Sequence, residues 1–286
     1  MTQNLVATWK AARDRLREAG VDTPAYDARL LLEAGAGVAR ADILTDPYRV
    51  LSAAQRDAVE RLIVRREARE PVSHILGRKH FWTFELRVTP DVLAPRPETE
   101  TLVLWALERV GAGGGLRIAD LGAGSGAIAL AVASERPQAE VVAVDVSPAA
   151  LAVAQANAEA CGLGARITFL EDDWGASLPG GSFDLVLSNP PYVRTGALSL
   201  LEPEVARYEP RLALDGGADG LAAYRRLLPQ IARLLRPGGA FAVEIGQGQA
   251  EAVWALADEQ GLAPEGVRAD LAGIDRVVFG RRGARN

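Results

Sequence analysis

The chain has 286 residues, 49% apolar and 24% charged, an ordinary globular balance with material for one large domain or for a large domain with a small one. No apolar run approaches the roughly 18 residues needed to cross a bilayer, and a single cysteine, Cys161, excludes an internal disulfide and the export framework it would imply. Net charge is −5 but uneven: residues 1–90 carry 15 Arg and Lys against 12 Asp and Glu, leaving the acidic excess in the remainder, which argues against a tight, sequence-independent grip on nucleic acid.

The opening MTQNLVATWKAARDRLREAG lacks the basic-then-apolar layout of a signal peptide and reads as an amphipathic helix, with Leu5, Trp9, Ala12 and Leu16 on one face. The cytoplasm is therefore the expected location. Thr23-Pro24 marks a second helix start, after which Tyr26, Leu30 and Ala34 recur at helical spacing. A third pattern, LSAAQRDAVERLIVRREARE, begins at a Ser52 cap and stops before Pro71. Residues 1–75 thus predict a small helical bundle. Residues 79–93 alternate like a short hairpin, and Pro95-Arg96-Pro97 stiffens the exit, so 76–98 is the expected β-hairpin linker to a domain over 99–286.

Past a glycine-rich linker at 111–115, short apolar runs alternate with Ala- and Leu-rich helical patterns. LRIADL (116–121), AEVVAVD (139–145), RITFLE, FDLVLS (183–188), AFAVEIG and RVVFG read as strands, and Ser147-Pro148 opens a helix after the second. That alternation implies an α/β fold with a doubly wound, mostly parallel sheet, whose ligands bind beyond the carboxyl ends of the strands.

The first such end carries Gly122-Ala123-Gly124-Ser125-Gly126. Glycines allow a sharp turn and close backbone approach, and the following helix start offers free N–H groups. Asp145, at the end of the second strand, is placed to accept hydrogen bonds from both hydroxyls of a ribose. The pattern says nucleoside; Gly122, Gly124 and Ala127 also fit the looser dinucleotide pattern, so a nicotinamide-dependent oxidoreductase stays open at this point.

FDLVLS runs directly into Asn189-Pro190-Pro191-Tyr192. The prolines stiffen the loop and donate nothing, so the Asn189 side-chain oxygen and the Pro190 carbonyl can each accept one N–H of a planar –NH₂. Amide and aromatic amines are poor nucleophiles because their lone pair is delocalised. Holding both hydrogens out of the plane favours a pyramidal nitrogen aimed at a methyl-sulfonium, with positioning rather than a strong base as the source of rate. Tyr192 can pack its ring on the flat substrate group. An oxidoreductase has no use for such a loop, which points to an amino-methyltransferase.

The chain resembles the HemK/PrmC family, glutamine methyltransferases that modify peptide chain release factors. The likeness rests on REPVSHILG (69–77), HFWTFELRVTPDVLAPRPETETLV (80–103), ADLGAGSGAIAL (119–130), DDW (172–174), FDLVLSNPPYV, YEPRLALDGGADGLAAYRRL (208–227) and PGGAFAVEIGQGQ (237–249). Glycine turns and the NPPY loop are common to many amino-methyltransferases, whereas the PRPETE and EPRLALDGGADGL segments are more particular. Departures are slight: Ala94 where a larger aliphatic is usual, Ala123 where threonine is common.

The resemblance implies a seven-stranded Rossmann-like methyltransferase sheet with a small N-terminal helical bundle and a β-hairpin linker; because a lone glutamine side chain offers little to recognise, the mildly basic bundle at 1–75 is the expected substrate-recognition domain. It implies that S-adenosylmethionine contacts residues 122–126, Asp145, Trp174 and Asn189, and that substrate meets Asn189, Pro190, Pro191 and Tyr192. The implied substrate is the glutamine of the Gly-Gly-Gln motif in class I release factors; direct nucleic-acid binding, a membrane and a metal are not expected. The competing reading is an amino-methyltransferase for adenine or guanine in nucleic acid, against which stand the acidic main domain and the lack of a basic or aromatic recognition module. His74 and His80 have no ligand cluster at metal spacing, and Cys161 reads as a small buried residue. Asp173 is a second candidate near an adenine amine. Glu98, Glu100, Glu209 and Glu244 fall in family segments without an evident chemical role.

Overall fold

A computed structural model describes residues 4–110 and 115–283. The glycine linker at 111–115 therefore lies almost wholly outside the described residues, as do the first three. The chain divides into two compact units, one of Met1–Gly77 with Glu202–Tyr208, the other of Arg78–Leu201 with Glu209–Asn286.

The first unit is helical: α1 (Leu5–Glu18), α2 (Pro24–Ala36), α3 (Arg40–Thr45), α4 (Ala53–Glu67), α5 (Val72–Leu76) and a short helix over Pro203–Tyr208. Asn4 caps α1, and Ser52 forms a capping box with Gln55 at the start of α4, so free N–H groups are satisfied where the pattern begins. Leu5, Ala12, Leu16, Leu31, Leu32, Val59 and Ile63 form the bundle core. Trp9 is only half-buried, its indole N–H donating to the Ala25 carbonyl. The buried stripe of α2 differs from the expected one: Ala28, Leu31, Leu32 and Ala36 face inward, while Tyr26 is 56% exposed beneath the Arg29 guanidinium. The two leucines outweigh a tyrosine at the helix start, where ring and cation can stack in water.

In the second unit a hairpin of β1 (Arg78–Phe81) and β2 (Phe84–Arg87) turns at Trp82, which takes a left-handed φ of 54°. Strand pairing ends at Arg87, short of the expected 93, and Val88, Val92 and Ala94 pack instead against Ala150 and Val153. Next come α6 (Glu100–Arg109), β3 (Arg117–Leu121), α7 (Ala127–Glu135), β4 (Glu140–Asp145), α8 (Pro148–Ala160), β5 (Ile167–Glu171) and β6 (Phe183–Ser188). The chain then passes through the helix Pro203–Tyr208 (α9) to α10 (Ala222–Leu234), β7 (Leu235–Glu244), α11 (Ala250–Glu259), β8 (Leu262–Ala269) and β9 (Asp275–Arg282).

The seven strands lie in the order β5-β4-β3-β6-β7-β9-β8, parallel from β5 through β7 and antiparallel at β9 and β8. This is the expected doubly wound sheet. Central strands are apolar on both faces because helices cover both: α6 and α7 contribute Leu102, Val103, Ala129 and Leu130 to one core, α10 and α11 contribute Tyr224, Leu227, Ile231 and Val253 to the other. Strand order reverses at β3, so the carboxyl ends of β3, β4 and β6 open a crevice there.

Candidate active site

A cavity of about 390 Å³ occupies that crevice, within the size range of small-molecule sites. Among its lining residues are Gly122, Ala123, Gly124, Ser125, Asp145, Trp174, Asn189 and Pro191. Four strand ends thus bring together what the sequence separates: the turn after β3, the acid ending β4, the tryptophan after β5 and the amide after β6.

The turn is folded onto the neighbouring strand. The N–H groups of Gly122 and Ala123 both donate to the Val144 carbonyl, at 2.8 and 2.9 Å. Gly122 has φ +77°, which favours glycine, and a Cβ there would come 3.3 Å from the Trp174 ring, which would have to give by a few tenths of an ångström. Gly126 stands apart from the cavity and backs onto Ala154 of α8. Asp145 accepts from the Gly124 N–H through one carboxylate oxygen and from the Ser147 N–H through the other, at 2.8 and 2.9 Å. A carboxylate has about four acceptor sites, so two remain for a diol.

Trp174 adopts φ +54° in a turn tied by Asp172, whose carboxylate accepts from the Asp173 and Ser177 N–H groups and the Ser177 hydroxyl. Those hydrogen bonds hold the Asp172 carboxyl below its usual range against the opposing effect of burial. Asp173 pairs with Arg226, and both line the cavity. The glycine turn, the free acceptor sites on Asp145, the Trp174 ring and the volume are compatible with S-adenosylmethionine.

The NPPY loop is held from three sides. Val193 donates to the Leu214 carbonyl and Gly216 donates to that of Val193, at 2.9 and 2.7 Å. The Gln249 amide nitrogen donates to the carbonyls of Tyr192 and Gly220, at 3.1 and 3.2 Å, while its oxygen accepts from the Gly246 N–H. The DGGADGL and EIGQGQ segments are therefore the bed of this loop, and Gln249 is a site residue that sequence reasoning missed. Asn189 is half-buried and its Nδ2 donates to the Thr99 hydroxyl at 3.2 Å. Pro190 is buried, Pro191 lines the cavity, and Tyr192 lies behind it, its hydroxyl 3.4 Å from Glu244 Oε1. Burial pushes the Tyr192 phenol up to about 12.

The four glutamates now have surroundings. Glu100 accepts from the Trp82 N–H, fixing the hairpin turn to the start of α6. Glu209 is buried against Arg96 at 2.6 Å; burial raises its carboxyl and Arg96 opposes that. Glu244, 1% exposed, accepts from the Thr99 hydroxyl at 2.6 Å, and burial pushes it up to about 7. Glu98 is exposed. His80 is exposed beside Glu85, and no cluster of three metal-ligating side chains occurs among the described residues. Cys161 is half-buried rather than buried.

A doubly wound sheet that gathers a glycine turn, a strand-end acid and an NPPY loop at one crevice has the arrangement of an amino-modifying methyltransferase. Residues 7–77 match the family model described as PrmC N-terminal domain, and residues 101–206 the one described as methyltransferase small domain. The chain is 53% identical to the release factor glutamine methyltransferase of Caulobacter vibrioides, over 98% of this chain and 97% of that protein. It is 48% identical to the protein of the same name from Rhodospirillum rubrum, over 94% and 82%. Among solved structures, a ribosomal protein L11 methylase from Lactobacillus delbrueckii subsp. bulgaricus shares the fold at a TM-score of 0.52 and 20% identity, over 70% of this chain and 86% of that one. The chain belongs to the release factor glutamine methyltransferase family.

Proposed function

We propose that this protein transfers a methyl group from S-adenosylmethionine to the side-chain amide nitrogen of the glutamine in the Gly-Gly-Gln motif of class I peptide chain release factors. The observation carrying the reading is that Asn189 lines the same cavity as the glycine turn and Asp145, so the amide acceptor and the nucleoside cradle share one chamber. When bound, the cofactor supplies an electrophilic methyl on a sulfonium and departs as a neutral thioether.

Residues 122–125 would cradle the cofactor, with Gly126 seating the turn against α8 rather than touching the ligand; Asp145 would accept from its ribose hydroxyls, and Trp174 would lie along the adenine. Asn189 Oδ1 and the Pro190 carbonyl would each accept one substrate N–H, turning the nitrogen lone pair out of conjugation. Pro191 and the Tyr192 ring hold this loop in place. The nitrogen becomes acidic as it is alkylated and gives up one proton to a nearby acceptor or water, so no strong base is required. A release factor substrate would put the reaction in the cytoplasm; no helix among the described residues is long and apolar enough to cross a membrane.

The test is incubation with methyl-labelled S-adenosylmethionine and either an intact release factor or nucleic acid. Label on the Gly-Gly-Gln glutamine is expected, with Asn189→Ala lowering single-turnover rates by about a hundredfold, since a misoriented weak nucleophile is slow, while cofactor affinity holds. Label on nucleic acid alone would overturn the substrate assignment.

A further inference from the structure

An asparagine amide is nearly symmetrical in shape, yet its two ends have opposite chemistry: Oδ1 accepts and Nδ2 donates. Turned over, Asn189 would present N–H groups to the N–H groups of the substrate. A fixed orientation therefore has to be imposed from behind, and the side chains behind Asn189 impose one.

Thr99 ends the short 3-10 turn Pro97–Thr99 and is 4% exposed. Its hydroxyl has one hydrogen, committed to Glu244 Oε2 at 2.6 Å in a fully buried bond. The remaining lone pairs of that oxygen can only accept, and the group facing them, at 3.2 Å, is Asn189 Nδ2. Glu244 is itself fixed: its carbonyl accepts from the Tyr224 hydroxyl at 2.8 Å, and its Oε1 faces the Tyr192 hydroxyl at 3.4 Å. Donation runs in one direction, Asn189 to Thr99 to Glu244, and leaves Oδ1 as the end turned to the cavity. We infer that Thr99 and Glu244 are positioning residues that set which end of the Asn189 amide meets the substrate. This rests on Asn189 being the amide acceptor proposed above.

The relay has a polarity that protonation can reverse. An ionised Glu244 accepts only. A protonated one can donate to Thr99, freeing the threonine hydrogen to turn toward Asn189, where only a flipped amide is complementary. The groups facing Glu244 are Glu98 and Thr99 on the turn before α6, Tyr192 after β6, Tyr224 on α10 and Arg276 on β9. Glu98 opposes its ionisation and Arg276 favours it, but burial outweighs both and brings the carboxyl to about 7. Turnover should therefore rise with pH through about 7.

The decisive variant is Thr99→Val, which keeps the shape and removes the hydroxyl, compared with Thr99→Ser and Asn189→Ala on an intact release factor. Loss of one orienting hydrogen bond is worth about tenfold or more. Thr99→Val should lose about tenfold in kcat and its rise through pH 7, with cofactor affinity by calorimetry within about twofold of wild type. Thr99→Ser should restore both, and Thr99→Val added to Asn189→Ala should cost nothing further, because the two act through one contact. If Thr99→Val turns over like wild type while Asn189→Ala is crippled, the positioning inference falls and the acceptor reading stands. If Asn189→Ala is itself near wild type, the acceptor reading falls first. Equal losses of turnover and cofactor affinity in both threonine variants would make Thr99 merely structural and overturn the inference.

Discussion

Asp120 is the next-to-last residue of β3 and is 1% exposed. One carboxylate oxygen accepts the Ala129 N–H at 3.1 Å, in the first turn of α7, where Gly126 offers no side-chain cap; the other oxygen has no hydrogen-bond partner among the described residues. Burial, with Asp145 adding to it, raises this carboxyl to about 7 from 3.8. Between those values the native protein keeps a proton that the unfolded chain has lost, so stability falls as pH rises across that window and the contribution is complete only below about 3.8. Asp120→Asn removes the charge and keeps an oxygen for the helix. Its stability relative to wild type should improve by up to ~1 kcal/mol per pH unit between pH 5 and 7. Urea unfolding at several pH values measures this; parallel curves for the two proteins would refute it. The cavity positions of Asp145 and Asn189 were legible because one ends and the other follows an apolar strand in a sheet whose ligand end is fixed by topology. Asp120, Thr99 and Glu244 were not, because their meaning lies in partners: Thr99 and Glu244 are 145 residues apart and meet only through the fold.

Among the elements, the segment after α9 shows why a family signature can be plain in sequence and opaque in purpose. A Cβ on Gly216 would lie 2.9 Å from the Pro191 carbonyl oxygen, the Tyr192 carbonyl carbon and the Gly220 carbonyl oxygen. All three are backbone and cannot swing aside, so Gly216→Ala must displace the NPPY loop. A shift near 1 Å in positioning groups costs about a hundredfold in rate. Gly216→Ala is expected to lose at least tenfold in kcat while S-adenosylmethionine affinity, which we propose is set chiefly by the turns after β3 to β5, changes little. Wild-type turnover with normal stability would show that the loop has other support. Short, mainly apolar runs bounded by turn residues, such as β3, β4 and β6, could be read directly. The edge strand β8 could not: Pro264, Glu265 and Gly266 interrupt LAPEGVRA, and the register shifts between Pro264 and Gly266. An edge strand tolerates those residues because one side of it needs no partner. The hairpin was legible in kind but not in length, since Val88 and Val92 alternate like a strand yet are buried by packing on α8.

At the scale of the whole molecule, a lone glutamine side chain offers little to recognise, so selectivity has to come from contacts remote from the reacting nitrogen. The cavity-lining residues all belong to the unit Arg78–Leu201 with Glu209–Asn286. We propose the helical unit as the surface for recognition, and its composition adds a second role to test. It includes α9, which belongs to the chain that continues from the NPPY loop. In that unit Arg66 pairs with Asp27 at 2.8 Å and Glu204 at 2.7 Å, Arg69 pairs with Glu204 at 2.6 Å, and the Tyr208 hydroxyl donates to the Ala68 carbonyl at 3.0 Å. Nothing in the local pattern of residues 202–208 marked them as partners of the bundle, because a six-residue helix has no period to read and its pairing is ionic and long-range. A protein lacking residues 1–77 should still bind S-adenosylmethionine but methylate an intact release factor at least about a hundredfold more slowly, and a short Gly-Gly-Gln peptide should be a poor substrate for the full chain. Glu204→Gln in the full chain separates the two roles. It weakens the hold on α9 and leaves the outer surface of the bundle intact, so under recognition it should keep kcat/KM for the factor within about threefold. If it instead matches the truncated protein, the bundle acts by anchoring α9. If truncated and full-length proteins methylate the intact factor with equal kcat/KM, the bundle has no part in selectivity.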